Sequence, residues 1–155
     1  MARTLIAGFG NVLRGDDGFG VEVIRRLQRA DLGTGIELLD VGTGGFRLPQ
    51  ALLSGYDRLV VVDAVRRGGA PGSVYVLEVD DVTATPVVDM HLAVPARALG
   101  LAKALGALPA RVFLVGCEPA VVDELSTALS TAVDAAADVA VRRIADLLAA
   151  DPSHG

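Results

Sequence analysis

Short, wholly apolar runs alternate along this chain with longer segments whose apolar residues recur at helical spacing. Residues 4–7 are apolar and closed by Gly8, which predicts a buried strand. Over residues 18–29, Val21, Ile24 and Leu27 share one helical face, while Glu22, Arg25, Arg26 and Arg29 lie elsewhere. Residues 36–39 predict a second strand, closed by Asp40 and the turn-rich Val41-Gly42-Thr43-Gly44-Gly45. Residues 46–53 predict a short helix with Pro49 near its first turn. Leu59-Val60-Val61-Val62, within 58–65, carries the unbroken apolar signature of a central strand. After a Gly/Pro turn at 67–72, residues 73–79 alternate, as a strand with one solvated face does, which suits an antiparallel edge. Residues 80–91 are irregular, 95–104 predict a helix, and 112–115 a further buried strand ending at Gly116-Cys117-Glu118-Pro119. Residues 126–150 predict a long alanine-rich helix with Val133, Ala137, Val141, Ile144 and Leu148 as its apolar stripe.

Strands and helices in alternation predict a three-layer α/β/α sandwich. Its sheet is a mostly parallel, twisted one of about five strands, with one antiparallel edge strand. The expected organisation is one domain over residues 1–150 with a frayed tail at 151–155. Hydrophobic residues make up 52%, which excludes a disordered chain, and aromatics only 4%, so the core must be aliphatic. The formal net charge of -5 argues against a nucleic-acid partner. No apolar run approaches a membrane span, and the charged, short start is unlike a signal peptide. The single cysteine, Cys117, cannot form an internal disulfide, which fits a cytoplasmic setting.

Candidate chemistry collects at the predicted carboxyl ends of the strands, where open α/β sheets place their sites. The first strand leads into Gly8-Phe9-Gly10-Asn11-Val12-Leu13-Arg14-Gly15-Asp16-Asp17-Gly18-Phe19-Gly20. A glycine-rich turn of this kind suggests a phosphate cradle, but two adjacent carboxylates would repel a phosphate, and Leu13 occupies the third glycine position of a dinucleotide fingerprint. The turn reads instead as a cation site. One of Asp16 and Asp17 is expected to cap the following helix, which leaves the other for an ion. Asp63 directly follows three valines. Its desolvation must be met by a cation or by backbone donors in a turn. With Asp17 and Asp63, His91 completes a mixed nitrogen and oxygen donor set suited to a divalent transition metal. Cys117 with His91 as base is a competing cysteine-hydrolase arrangement.

These motifs resemble the nickel-iron hydrogenase maturation proteases, endopeptidases that trim the C-terminus of the hydrogenase large subunit. The likeness covers nearly the whole chain: the glycine-rich opening through Asp16-Asp17-Gly18-Phe19-Gly20-Val21, then Asp40-Val41-Gly42-Thr43-Gly44-Gly45, Val62-Asp63-Ala64, His91, and Gly116-Cys117-Glu118-Pro119 with Leu129-Ser130. The resemblance implies that Asp17, standing where many relatives carry Glu, binds nickel with Asp63 and His91, and that these three are the catalytic set. Asp40, Gly42, Thr43 and Gly44 are implied in substrate binding. The nickel would be supplied by the substrate, already inserted in the large-subunit precursor, and no permanently bound cofactor is expected. A carboxylate could act as base on a metal-polarised water, or the set could mainly position the scissile segment. A nickel-sensing, chaperone-like module without peptidase activity would use the same ligands.

Overall fold

The computed structural model describes residues 2–79, 93–120 and 125–150. His91 and the tail at 151–155 lie outside the described residues. Five strands form one sheet: β1 (Thr4–Phe9), β2 (Ile36–Gly42), β3 (Arg58–Ala64), β4 (Val74–Glu78) and β5 (Arg111–Cys117). Among the described residues four α-helices accompany them: α1 (Phe19–Leu27), α2 (Arg47–Leu52), α3 (Ala93–Ala104) and α4 (Thr131–Ala150). The strand order is β2-β1-β3-β5-β4, parallel except for β4, which pairs antiparallel with β5 at the edge. The predicted architecture, including the antiparallel edge strand, is the observed one.

Alternation along the strands divides the core into two clusters. Ile6, Val60, Val62, Phe113 and Val115 meet α1 and α4 on one face. Leu5, Ala7, Phe9, Leu59, Val61 and Val112 meet α2 and α3 on the other. β1 and β3 are buried along their whole length, which is why they read as unbroken apolar runs. In α1, Phe19, Val23, Ile24 and Leu27 are each at most 2% exposed. At roughly 1.5–3 kcal/mol per buried side chain, packing outweighs the few tenths from the Glu22–Arg26 pair on the same helix. The entry of α1 comes so close to the sheet that a Cβ at Gly20 would lie 2.3 Å from the carbonyl oxygen of Val62 and 2.4 Å from that of Phe9.

The last helix begins at Thr131, five residues later than its alanine content predicts. A helix over 126–130 would need the N–H of Ser130 to reach the carbonyl of Ser126. Both groups are taken: Gly15 N–H donates to the Ser126 carbonyl (2.8 Å) and Ser130 N–H donates to Asp16 Oδ1 (2.7 Å). Long-range hydrogen bonds override local propensity here. Among the described residues, no helix is long and apolar enough to cross a membrane.

Candidate active site

The order of strands reverses between β1 and β3, because β2 lies on one side of β1 and β3 on the other. A crevice at the carboxyl ends of such a strand pair is the usual ligand position in this architecture. Asp17 follows β1, and Asp63 is the penultimate residue of β3. The structure therefore places the two predicted acids on either side of the switch point.

Asp17 sits in a single 3-10 turn, Gly15–Gly18, that precedes α1. The chain doubles back so tightly that Gly10 adopts φ 137°, and a Cβ there would lie 1.9 Å from the carbonyl oxygen of Asp17. Only glycine satisfies both constraints. Asn11 N–H donates to Asp17 Oδ2 (2.9 Å), and Asn11 Oδ1 accepts from Leu13 N–H (2.9 Å), so the acid and its loop fix one another. Asp17 remains partly exposed.

The expectation that one of the paired acids caps the following helix is not met. The cap position of α1 is Gly18, and no side chain caps it. Asp16 is fully buried and reaches across the molecule. Its Oδ2 accepts from Ala120 N–H (2.8 Å) and from the Ser130 hydroxyl (2.8 Å), and its Oδ1 from Ser130 N–H. Asp16 thus ties the β1 loop to the segment after β5 and to the entry of α4. The two acids divide their work: Asp16 fastens the frame and Asp17 stays at the surface.

Asp63 is 3% exposed, and Ala64 N–H donates to its Oδ1 (2.8 Å). Strand alternation puts it on the face of Leu59 and Val61, the side covered by α2 and α3. The first residue of α3 is Ala93, so His91 precedes it by two positions. His91 itself, the third expected member, lies outside the described residues. Among the described residues, no three acidic, histidine or cysteine side chains group as a metal site.

The residues expected to handle substrate border a second feature. Gly10 N–H donates to the Gly42 carbonyl (2.9 Å), joining the two glycine-rich loops, and Arg47 Nη1 donates to the Asp40 carbonyl (2.8 Å). Thr43 and Gly44 line a cleft of about 310 Å³ closed by Phe46 and Pro49 on one side and Arg97, Ala98 and Leu101 of α3 on the other. Asp40 and Gly42 support this turn without lining the cleft. Phe46 is 80% exposed, an unusual state for a large aromatic. The cleft wall on α3 was not legible in the sequence, which predicts a helix over 95–104 but not what that helix faces.

Cys117 does not join the edge. It is fully buried in the cluster under α1 and α4. Burial first, then the negative charges of Asp16 and Glu118, pushes its thiol up to about 12. A thiol so placed is protonated at neutral pH, the wrong form for a nucleophile. We expect iodoacetamide at pH 8 to leave Cys117 unmodified in the folded protein and to alkylate it fully in denaturant, read by intact mass. Rapid modification of the folded chain would revive the cysteine arrangement. Glu118 is buried too. Burial alone would raise its carboxyl. Hydrogen bonds from Tyr75 and from the backbone of Arg67 and Gly69, with the charge of Arg66, hold it below its ordinary value.

Comparison with known proteins converges on one family. The family model described as hydrogenase maturation protease matches residues 21–147. The hydrogenase expression/formation protein HupD of Rhizobium leguminosarum bv. viciae is 34% identical over 148 residues, covering 90% of this chain and 73% of the relative. The hydrogenase maturating endopeptidase HybD from E. coli has the same fold, with a TM-score of 0.81, 30% identity, and coverage of 94% of this chain and 91% of that one. The [NiFe] hydrogenase maturation protease HybD from Thermococcus kodakarensis aligns with a TM-score of 0.78 and 28% identity, covering 94% and 99%. The chain belongs to the hydrogenase maturation protease family and is a peptidase.

Proposed function

We propose that this peptidase removes a C-terminal segment from a nickel-iron hydrogenase large-subunit precursor, and that it does so only once nickel is in place. The observation that carries the reading is the position of Asp17 in the turn that follows β1 and of Asp63 at the carboxyl end of β3, the two strands flanking the switch point. In this reading Asp17, Asp63 and His91 bind the nickel that the substrate brings, and the chain needs no resident cofactor. Mixed carboxylate and imidazole donors suit such an ion. Binding the ion brings the scissile segment to the sheet edge. The turn Asp40 to Gly44 and its cleft hold the adjoining stretch of substrate. The negative net charge and acidic edge favour this partner over nucleic acid. A cytoplasmic setting belongs to the same reading, and a single reduced thiol is compatible with it.

The test is intact-mass analysis of nickel-loaded and nickel-free precursor, each incubated with the protein. The expected outcome is loss of a C-terminal peptide from the nickel-loaded sample alone. Cleavage of both samples would remove the nickel gate. An unchanged mass with confirmed binding would leave a metal-sensing binding module. Cys117→Ala is expected to process the precursor as the parent does, because its thiol is buried and protonated.

A further inference from the structure

A second group of side chains is organised at the β4 edge of the sheet. Glu118 is 5% exposed, and its Oε1 accepts three hydrogen bonds: from Arg67 N–H (2.9 Å), Gly69 N–H (3.0 Å) and the Tyr75 hydroxyl (2.7 Å). Its backbone adds two more, accepting from Gly72 N–H (2.8 Å) and donating to the Ser73 carbonyl (2.9 Å). One residue therefore fastens the whole turn after β3. The Tyr75 ring, held by its hydroxyl, lies beneath the guanidinium of Arg67, whose central carbon is 5.3 Å from the ring centroid. The turn is built around that phenol: a Cβ at Gly69 would lie 2.3 Å from its oxygen. Arg67 itself is exposed.

The register relates this unit to the candidate active site. Gly116 of β5 pairs with Asp63 on one side and with Tyr75 on the other. Asp63, Gly116 and Tyr75 form one row across three strands, so Asp63 and Tyr75 are about 10 Å apart, two strand spacings. Val74 and Val76 pack toward α1 and α4, which leaves Tyr75 on the same face as Asp63. Val65 packs over Gly116 between them.

An edge carrying Asp17, Asp40 and Asp63 repels the carboxylates of a peptide. A guanidinium fixed by an aromatic face and a tied backbone offsets that repulsion. It offers a planar pair of N–H donors matched to a carboxylate, and little freedom remains to be lost on binding. A turn that needed only an anchor would not require the Tyr75 ring under Arg67. We propose that Arg67 is a specificity-determining residue that takes a carboxylate of the peptide substrate, with Glu118 and Tyr75 as positioning residues. The inference rests on the peptidase reading above. The separation of Tyr75 from Asp63 matches about three extended residues, so the carboxylate is expected a few residues along the chain from the segment at Asp63. Its source is either an acidic side chain or the terminal carboxylate.

The test measures the Kd of nickel-loaded precursor by biolayer interferometry, with cleavage by the same proteins followed in parallel. Arg67→Gln is expected to raise Kd about 10- to 100-fold, the value of one charge-assisted contact, with kcat within about twofold. Tyr75→Leu and Gly69→Ala should raise Kd several-fold, and Tyr75→Phe, which keeps the ring, should restore most of the affinity. The Arg67→Gln effect should vanish on precursor whose downstream acidic residues are changed to amides if a side chain is the ligand. It should vanish on C-terminally amidated precursor if the terminus is. An unchanged Kd for Arg67→Gln, or an effect that persists on precursor lacking both kinds of carboxylate, overturns the inference. Binding without cleavage by the parent protein would defeat the peptidase reading alone, since the Kd comparison still decides the role of Arg67. Absence of any binding would defeat both.

Discussion

Asp63→Asn is expected to lower kcat/KM for precursor processing by roughly 100-fold or more while leaving the melting temperature within a few degrees. The substitution keeps an oxygen at the place where Ala64 N–H donates, so the local hydrogen bond survives. What is lost is the negative charge. If Asp63 is a ligand of the substrate's nickel, the ion binds more weakly and the scissile segment loses its alignment, a loss commonly worth about 100-fold. If it is also the base that takes a proton from water, the loss is of the same size or larger. Asp63 is 3% exposed, and a buried charge at a strand end is costly unless it serves something. The asparagine variant keeps the size of the side chain and the bond from Ala64 N–H, and is expected to melt within a few degrees of the parent. Single-turnover processing of nickel-loaded precursor, beside thermal denaturation of the same samples, checks both halves. Near-normal processing would remove Asp63 from the site, and a collapse in stability would make it a structural acid.

Much of this could be read along the chain, for identifiable reasons. β1 and β3 are covered on both faces, so their apolar runs are unbroken and the strand assignment follows. Asp63 stands out because it directly follows three valines, and Asp17 because a pair of acids interrupts the glycine-rich loop after β1. What local pattern cannot carry is the partner of a hydrogen bond made across the fold. Asp16 looks like a helix cap from its neighbours. Its acceptors are in fact used by Ala120 and Ser130, more than a hundred residues away. The same bonds delay the start of α4, which composition alone places earlier. Glu118 reads as one more acid at the site edge, yet its carboxylate faces the turn after β3. The cleft under Phe46 needs α3 to close it, and pairing of α2 with α3 is a tertiary fact.

The adjacent acids Asp16 and Asp17 separate stability from activity, and their alanine variants should do so in opposite directions. Asp16→Ala removes the acceptor of at least three hydrogen bonds to a buried carboxylate. Bonds to a charged group contribute about 1.5–3 kcal/mol each, and the donors left behind are only partly rehydrated, so the expected loss is about 3–5 kcal/mol. For a chain of this size that is a fall in melting temperature of roughly 10 °C. A loss that large is a sizeable share of the ~5–15 kcal/mol that holds a domain folded. Asp17→Ala, by contrast, removes an acceptor from a partly exposed loop, where Asn11 N–H donates to it, and water can replace it. Its stability cost should be about 1 kcal/mol. Processing by Asp17→Ala should nevertheless fall as steeply as in Asp63→Asn, while Asp16→Ala keeps its turnover at temperatures where it remains folded. A double-mutant cycle with Ser130→Ala refines the first half: Asp16 and Ser130 should be coupled by about 1–2 kcal/mol, whereas Asp17 and Ser130 should be additive. Equal melting temperatures for the two aspartate variants would contradict this division of labour, and full activity in Asp17→Ala would leave the crevice at the β1/β3 switch point with only one of its proposed acids.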